Sequence, residues 1–220
     1  TINKSTDYFN TKLYTGNGGN QTITGVGFTP DFVWFKSRDA ANSNALVDIV
    51  RGTNKVIYSD TSGTEQPIAS QTFNSDGFAL VNDGGANSIN SNGSTKVAWS
   101  WKANGAGSAN TAGSINSTVS VNTTAGFSIS SYAGSNSNAT IGHGLGVAPK
   151  MFIIKNLSGT RDWSIYHESL GNAKVINLNN TNAAGATGQF ASTSPTSTVF
   201  TVAGDYGNVN QSGVNYIAYC

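Results

Sequence analysis

Two histidines, one cysteine and eleven carboxylates are the chain's stock of groups for acid–base, nucleophilic or metal chemistry. His143 sits in Gly142-His-Gly-Leu-Gly146 with no second metal-ligand residue close by in sequence, and reads as an exposed loop histidine. Cys220 is the last residue and has no neighbouring histidine. No Gly-x-Ser-x-Gly elbow follows a strand-like run, so a serine nucleophile has no signature here. A glycosidase needs two facing carboxylates, yet the only glutamates, Glu65 and Glu168, suggest no pair. Asp39, Asp60, Asp76 and Asp83 fall in turn-like sequence without the dense Asp-x-Asp-x-Asp-Gly spacing of a calcium loop. Gly105-Ala-Gly107 and Gly142-His-Gly144 lack the helix and Gly-Lys-Ser/Thr of a phosphate loop. The reading is therefore of a protein that is not an enzyme, with no cofactor and no metal. Four residues remain as ligand candidates: Trp101, Arg51, Asp48 and His167. Arg51 and Asp48, three apart, also fit a structural ion pair. Trp101 fits either a sugar-stacking platform or a packing contact, and packing is the better reading.

Whatever those residues do, strands must carry them. Only 10% of residues are charged and the net charge is +1, too little to steer nucleic acid or an anionic membrane. No apolar run approaches the ~20 residues of a membrane span. One cysteine excludes a disulfide framework. Aromatics make up 10% of the chain, which favours a folded core over disorder. Val, Ile and Thr are abundant while Leu, Met and Glu are scarce, and this favours strands over helices. Phe32, Trp34 and Lys36 alternate with Val33 and Phe35. Phe127, Ile129 and Ser131 alternate with Ser128 and Ser130. Asn17-Gly18, Asp76-Gly77, Asp83-Gly84 and Asn92-Gly93 mark turns between such runs. Trp34, Trp99 and Trp163 lie inside strand-like runs and are expected in the core.

The chain also repeats itself. Phe9 to Gly16 recurs as Phe127 to Gly134, and Gly27-Phe-Thr-Pro30 with its apolar run to Lys36 recurs as Gly146-Val-Ala-Pro149 with its run to Lys155. Lys96-Val-Ala-Trp99 recurs as Tyr216-Ile-Ala-Tyr219, and the offset drifts only from about 118 to about 120 residues. In this alignment Asp48 and Arg51 match His167 and Leu170, so an Arg51–Asp48 pair would belong to the first copy alone. Proline suits the start of a strand because it lacks an N–H. The expected fold is all-β, with two tandem antiparallel β-sandwich repeats of jelly-roll or concanavalin-like kind. Residues 1–102 form the first and 114–220 the second, and 103–113 form a flexible Gly/Ala/Ser/Asn linker. The rival is one larger sandwich to which each repeat gives half the strands.

Several blocks together resemble a known kind of protein. They are Phe9–Gly16, Gly27–Lys36, Val47-Asp-Ile-Val-Arg-Gly52, Phe73-Asn-Ser-Asp-Gly-Phe78 and Val97-Ala-Trp-Ser-Trp-Lys102. The second half adds Gly142–Pro149, Pro195–Phe200 and Asn215–Cys220. This set resembles tandem β-sandwich modules in structural or tail-fibre-like proteins of tailed bacteriophages, as found in marine phages including those of cyanobacteria. The resemblance implies a non-enzymatic virion component, a fibre or capsid-surface protein located on the particle. Its implied partners are copies of itself, for example in a trimer, other virion proteins, and a host-surface glycan. No nucleic acid and no membrane insertion are implied. Such relatives usually continue into further sequence, so a processed chain or a fragment of a longer protein is expected. The alternative function is a carbohydrate-binding, lectin-like module.

Overall fold

Alternating apolar residues and frequent turn glycines build strands throughout. The computed structural model describes residues 4–82 and 89–220. The expected turn at Asp83-Gly84 lies outside the described residues. Among the described residues there is no α-helix, only two three-residue 3₁₀ turns, Ser5–Asp7 and Glu168–Leu170. No helix of the described residues is long and apolar enough to cross a membrane.

The chain divides into two units: Thr1–Ser59 with Glu65–Gly105, and Asp60–Thr64 with Ala106–Cys220. The first contains β1 (Phe9–Thr15), β2 (Gln21–Ile23), β3 (Phe32–Ser37), β4 (Ala45–Asp48) and β5 (Lys55–Tyr58). It continues with β6 (Gln66–Pro67), β7 (Thr72–Asn74), β8 (Gly77–Leu80) and β9 (Thr95–Trp101). These form a six-stranded sheet, β1-β9-β3-β4-β5-β6, and a three-stranded one, β2-β8-β7. All pairings are antiparallel. The core takes one face of the large sheet, with Val33, Phe35, Ala45, Val47, Val56 and Ala98, together with Phe78 and Leu80 of the small sheet. Phe35 meets Phe78 edge to face at 5.3 Å.

The second unit contains β10 (Ser108–Asn110), β11 (Ser117–Asn122), β12 (Phe127–Ala133), β13 (Ala139–Gly142) and β14 (Met151–Asn156). It continues with β15 (Ser164–His167), β16 (Lys174–Val175), β17 (Gly185–Ala186), β18 (Val199–Val202) and β19 (Asn215–Tyr219). Its large sheet runs β10-β11-β12-β19-β14-β15, beside the pairs β13-β18 and β16-β17. Phe152 stacks on Phe200 and on Tyr166, each at 4.8 Å, in the middle of its core.

The order β1-β9-β3-β4 in the first unit has its counterpart in β12-β19-β14-β15 in the second. Matching residues also make matching bonds. Tyr14 Oη donates to Ile89 O at 2.6 Å, and Tyr132 Oη to Val209 O at 2.7 Å. Buried Asn90 accepts from Asn17 N and donates to Gly19 O; buried Asn210 accepts from Ser135 N and donates to Ser137 O. A Cβ on Gly16 would run into the backbone of Ser91, and one on Gly134 into that of Gln211. Each glycine lets the strand end pass beneath the loop that its tyrosine and asparagine hold.

Two expectations change here. The stretch expected as a flexible linker contains β10, which pairs with β11 from Ser108↔Val119 to Asn110↔Ser117. The alternation of its short side chains is too weak to show in sequence. The span expected to form the first repeat also gives up Asp60–Thr64 to the second unit.

Candidate functional site

The face of the first unit's large sheet turned away from its core carries three of the four candidate residues. Register places Phe9, Trp101, Phe32 and Asp48 in one row across β1, β9, β3 and β4. The next row holds Thr11, Trp99, Trp34 and Leu46. Trp101 is half-buried between Phe9, at 4.8 Å, and Phe32, at 5.0 Å. Trp34 and Trp99 meet edge to face at 6.2 Å and 78°. Neither is a core residue, contrary to expectation: both are half-buried on this outer face. Alternation defines two faces but does not say which one packs inward, and Val33 and Phe35 fill the inner one. Trp163 does lie fully buried.

Asp48 and Arg51 end the row as a buried knot. Asp48 Oδ1 accepts from Arg51 N at 2.8 Å, and Oδ2 accepts from Arg51 Nε. Arg51 Nη2 donates to Leu46 O at 2.9 Å, and Nη1 reaches Glu65 Oε1 at 3.2 Å. Lys55 closes the chain on Glu65 Oε2 at 3.1 Å. Both carboxylate oxygens of Asp48 are engaged, and each guanidinium nitrogen has a partner. A buried pair this fully bonded fixes the local geometry.

His167 belongs to the second unit. It pairs with Met151 as Asp48 pairs with Phe32, and its Nδ1 accepts from Ser169 N at 3.2 Å to cap the turn Glu168–Leu170. His143 departs from expectation: it is fully buried, where an exposed loop histidine was expected. Its Nδ1 accepts from Leu145 N and its Nε2 lies 3.2 Å from Thr196 O, so Nε2 carries the proton. Burial lowers its pKa, against the opposing pull of the Thr196 carbonyl, and favours the neutral ring. The glycines flanking it suggested an open loop, and the partner 53 residues away leaves no local trace.

Three carboxylates that no motif announced hold the backbone instead. Asp31 accepts from Ala103 N and Gly105 N, fixing the chain just past Trp101; burial nevertheless raises its pKa. Asp39 accepts from Thr95 N and Ser94 Oγ, and these bonds bring its pKa down to about 2. Asp76 sits in the nest of Gly25 N and Gly27 N, which lowers its pKa. Burial pushes the Cys220 thiol up to about 12, out of nucleophilic range. Among the described residues no three His, Cys, Asp or Glu gather as a metal site.

A family model described as Domain of unknown function (DUF7483) matches residues 4–220. No curated protein and no solved structure matches the chain.

Proposed function

The chain belongs to the DUF7483 family, a domain of unknown function, and for this member we propose a non-enzymatic structural role. It acts as a fibre or capsid-surface component of a tailed phage, within a homo-oligomer. One observation carries the reading: among the described residues, five groups that could do chemistry are committed to the fold. Asp31, Asp39 and Asp76 hold backbone N–H groups, Asp48 is locked on Arg51, and His143 bridges two loops. The phage setting rests on the sequence resemblance, and the near-neutral surface suits dense packing of many copies.

The half-buried tryptophans favour a second reading, a glycan-binding module. Their arrangement argues against it: an edge-to-face Trp34–Trp99 pair offers a sugar ring no flat double platform. The native mass by light scattering after gel filtration tests the choice. An assembly of several 22.8 kDa chains is expected. A monomer at every concentration, with glycan binding abolished by Trp99→Ala, would replace the structural reading with the lectin one.

A further inference from the structure

The two units treat the same sheet edge differently. In the second, β12 is covered on its outer side by β11 through six residue pairs, Ser117↔Tyr132 to Asn122↔Phe127. In the first, the corresponding strand β1 ends its sheet, and among the described residues no strand pairs with its other side. The ends of β1 fix which way its hydrogen bonds point. Lys102 N donates to Tyr8 O and Gly16 N to Ser94 O, so the even-numbered residues face β9. Phe9, Thr11, Leu13 and Thr15 therefore turn N–H and C=O outward.

This edge has little to protect it. It is seven residues long, without proline or glycine, and Lys12 is its only charge. Leu13 is 59% exposed and Phe9 37%. The opposite edge of the same sheet, β6, is two residues long and contains Pro67. The second unit's edge strand β10 is three residues long. Long apolar edges are what folded proteins usually blunt, unless the edge has a partner. Two side-chain bonds reach the outward backbone groups of β1, Asn10 Oδ1 accepting from Thr11 N and Gln21 Nε2 donating to Thr15 O. Neither involves Phe9 or Leu13.

We propose that β1 is a strand-pairing interface for β1 of a second copy of this chain, antiparallel about a two-fold axis at Thr11. The sequence of the strand selects this partner and register. Pairing about Thr11 sets Phe9 across from Leu13 of the other copy on both sides, and Thr11 across from itself. Lys12 then opposes Asn10. Pairing about Lys12 would instead set two ammonium groups face to face, and pairing about Asn10 would bring Asp7 against Leu13 and shorten the overlap. The Thr11 N–H exchanges Asn10 Oδ1 for a carbonyl of the second copy. The result is two six-stranded sheets joined into one, with an isologous contact. The inference rests on the homo-oligomer reading above and names its contact surface.

Thr11→Cys in the full chain tests it, with Asn92→Cys on an exposed loop as control. Under mild oxidation or with a short bis-maleimide, Thr11→Cys is expected to form a covalent dimer at least about tenfold faster than the control. Leu13→Lys replaces an exposed side chain and keeps the fold, checked by its urea midpoint. It is expected to halve the native mass. Equal cross-linking of the two cysteine variants, or an unchanged mass in Leu13→Lys, overturns the proposal. If the wild type still assembles in that case, the structural reading survives through another face. Conversely, rapid Thr11→Cys cross-linking in a chain that stops at a dimer and binds glycans keeps the strand pairing and removes the structural reading.

Discussion

Lys155 matches Lys36 in the sequence repeat, yet the two meet different surroundings. Lys36 is exposed and reaches Asn44 Oδ1 at 3.1 Å. Lys155 is fully buried, its Nζ donating to Ser62 O at 3.1 Å and Arg161 O at 2.9 Å. Burial pulls its pKa down from 10.5 to about 8, against the opposing pull of the Asp162 carboxylate. Between about 8 and 10.5 the unfolded chain therefore binds more protons than the folded one, and this residue makes stability rise with pH. Below about 8 both states are protonated and the cost of burying the charge is felt in full. Tyr132 and Cys220, whose pKa values are raised, slope the other way. A difference experiment isolates the lysine. The urea midpoint of the wild type is expected to climb relative to that of Lys155→Met as pH rises through this window. A constant gap would show that Lys155 keeps an ordinary pKa. At this scale the sequence was a partial guide. It offers Arg51 and Asp48 as ligand candidates that also fit an ion pair, and the structure shows them bonded to each other. It could not show that His143 is buried or that Asp31 clamps Ala103, since both depend on partners more than fifty residues away.

Among the elements, the strands carried by the sequence repeat are legible: β1, β3, β9, β12 and β14 coincide with runs that the repeat pairs. The two-residue strands β6, β16 and β17 are not, because two residues carry no period. The loop clasp recurring in both units was invisible for another reason. Asn90 and Asn210 are ordinary residues in an asparagine-rich chain until the fold brings them to Asn17 and Ser135. Each is buried and bonded on both sides of its amide. Asn90→Ala and Asn210→Ala each remove a donor and an acceptor and leave backbone groups unpaired. Each is expected to cost about 1–3 kcal/mol in urea unfolding. A change of a few tenths in either would mean that water replaces the side chain and the clasp is ornamental.

For the whole molecule, the telling feature is the segment Asp60–Thr64, grouped with the second unit although its neighbours in sequence belong to the first. Ser62 O accepts from Arg161 N and from Lys155 Nζ, and Thr61 O accepts from Trp163 Nε1 at 3.2 Å. Deleting residues 60–64 leaves a short loop between β5 and β6. The deletion is expected to unfold the environment of Trp163 at lower urea concentration, read by its fluorescence. An unchanged transition would assign the second unit's stability to residues 106–220 alone. The sequence repeat does not mark this segment, because it follows similarity along the chain and the segment is placed by contacts. This placement also has a temporal side. The segment's partners Lys155 and Trp163 follow it by 93 and 102 residues. On the ribosome, these five residues of the second unit emerge within the sequence of the first, before their partners are made. Contacts of such long range slow the search for the native state. Residues 106–220 produced alone would begin folding without a piece that the intact chain supplies in advance.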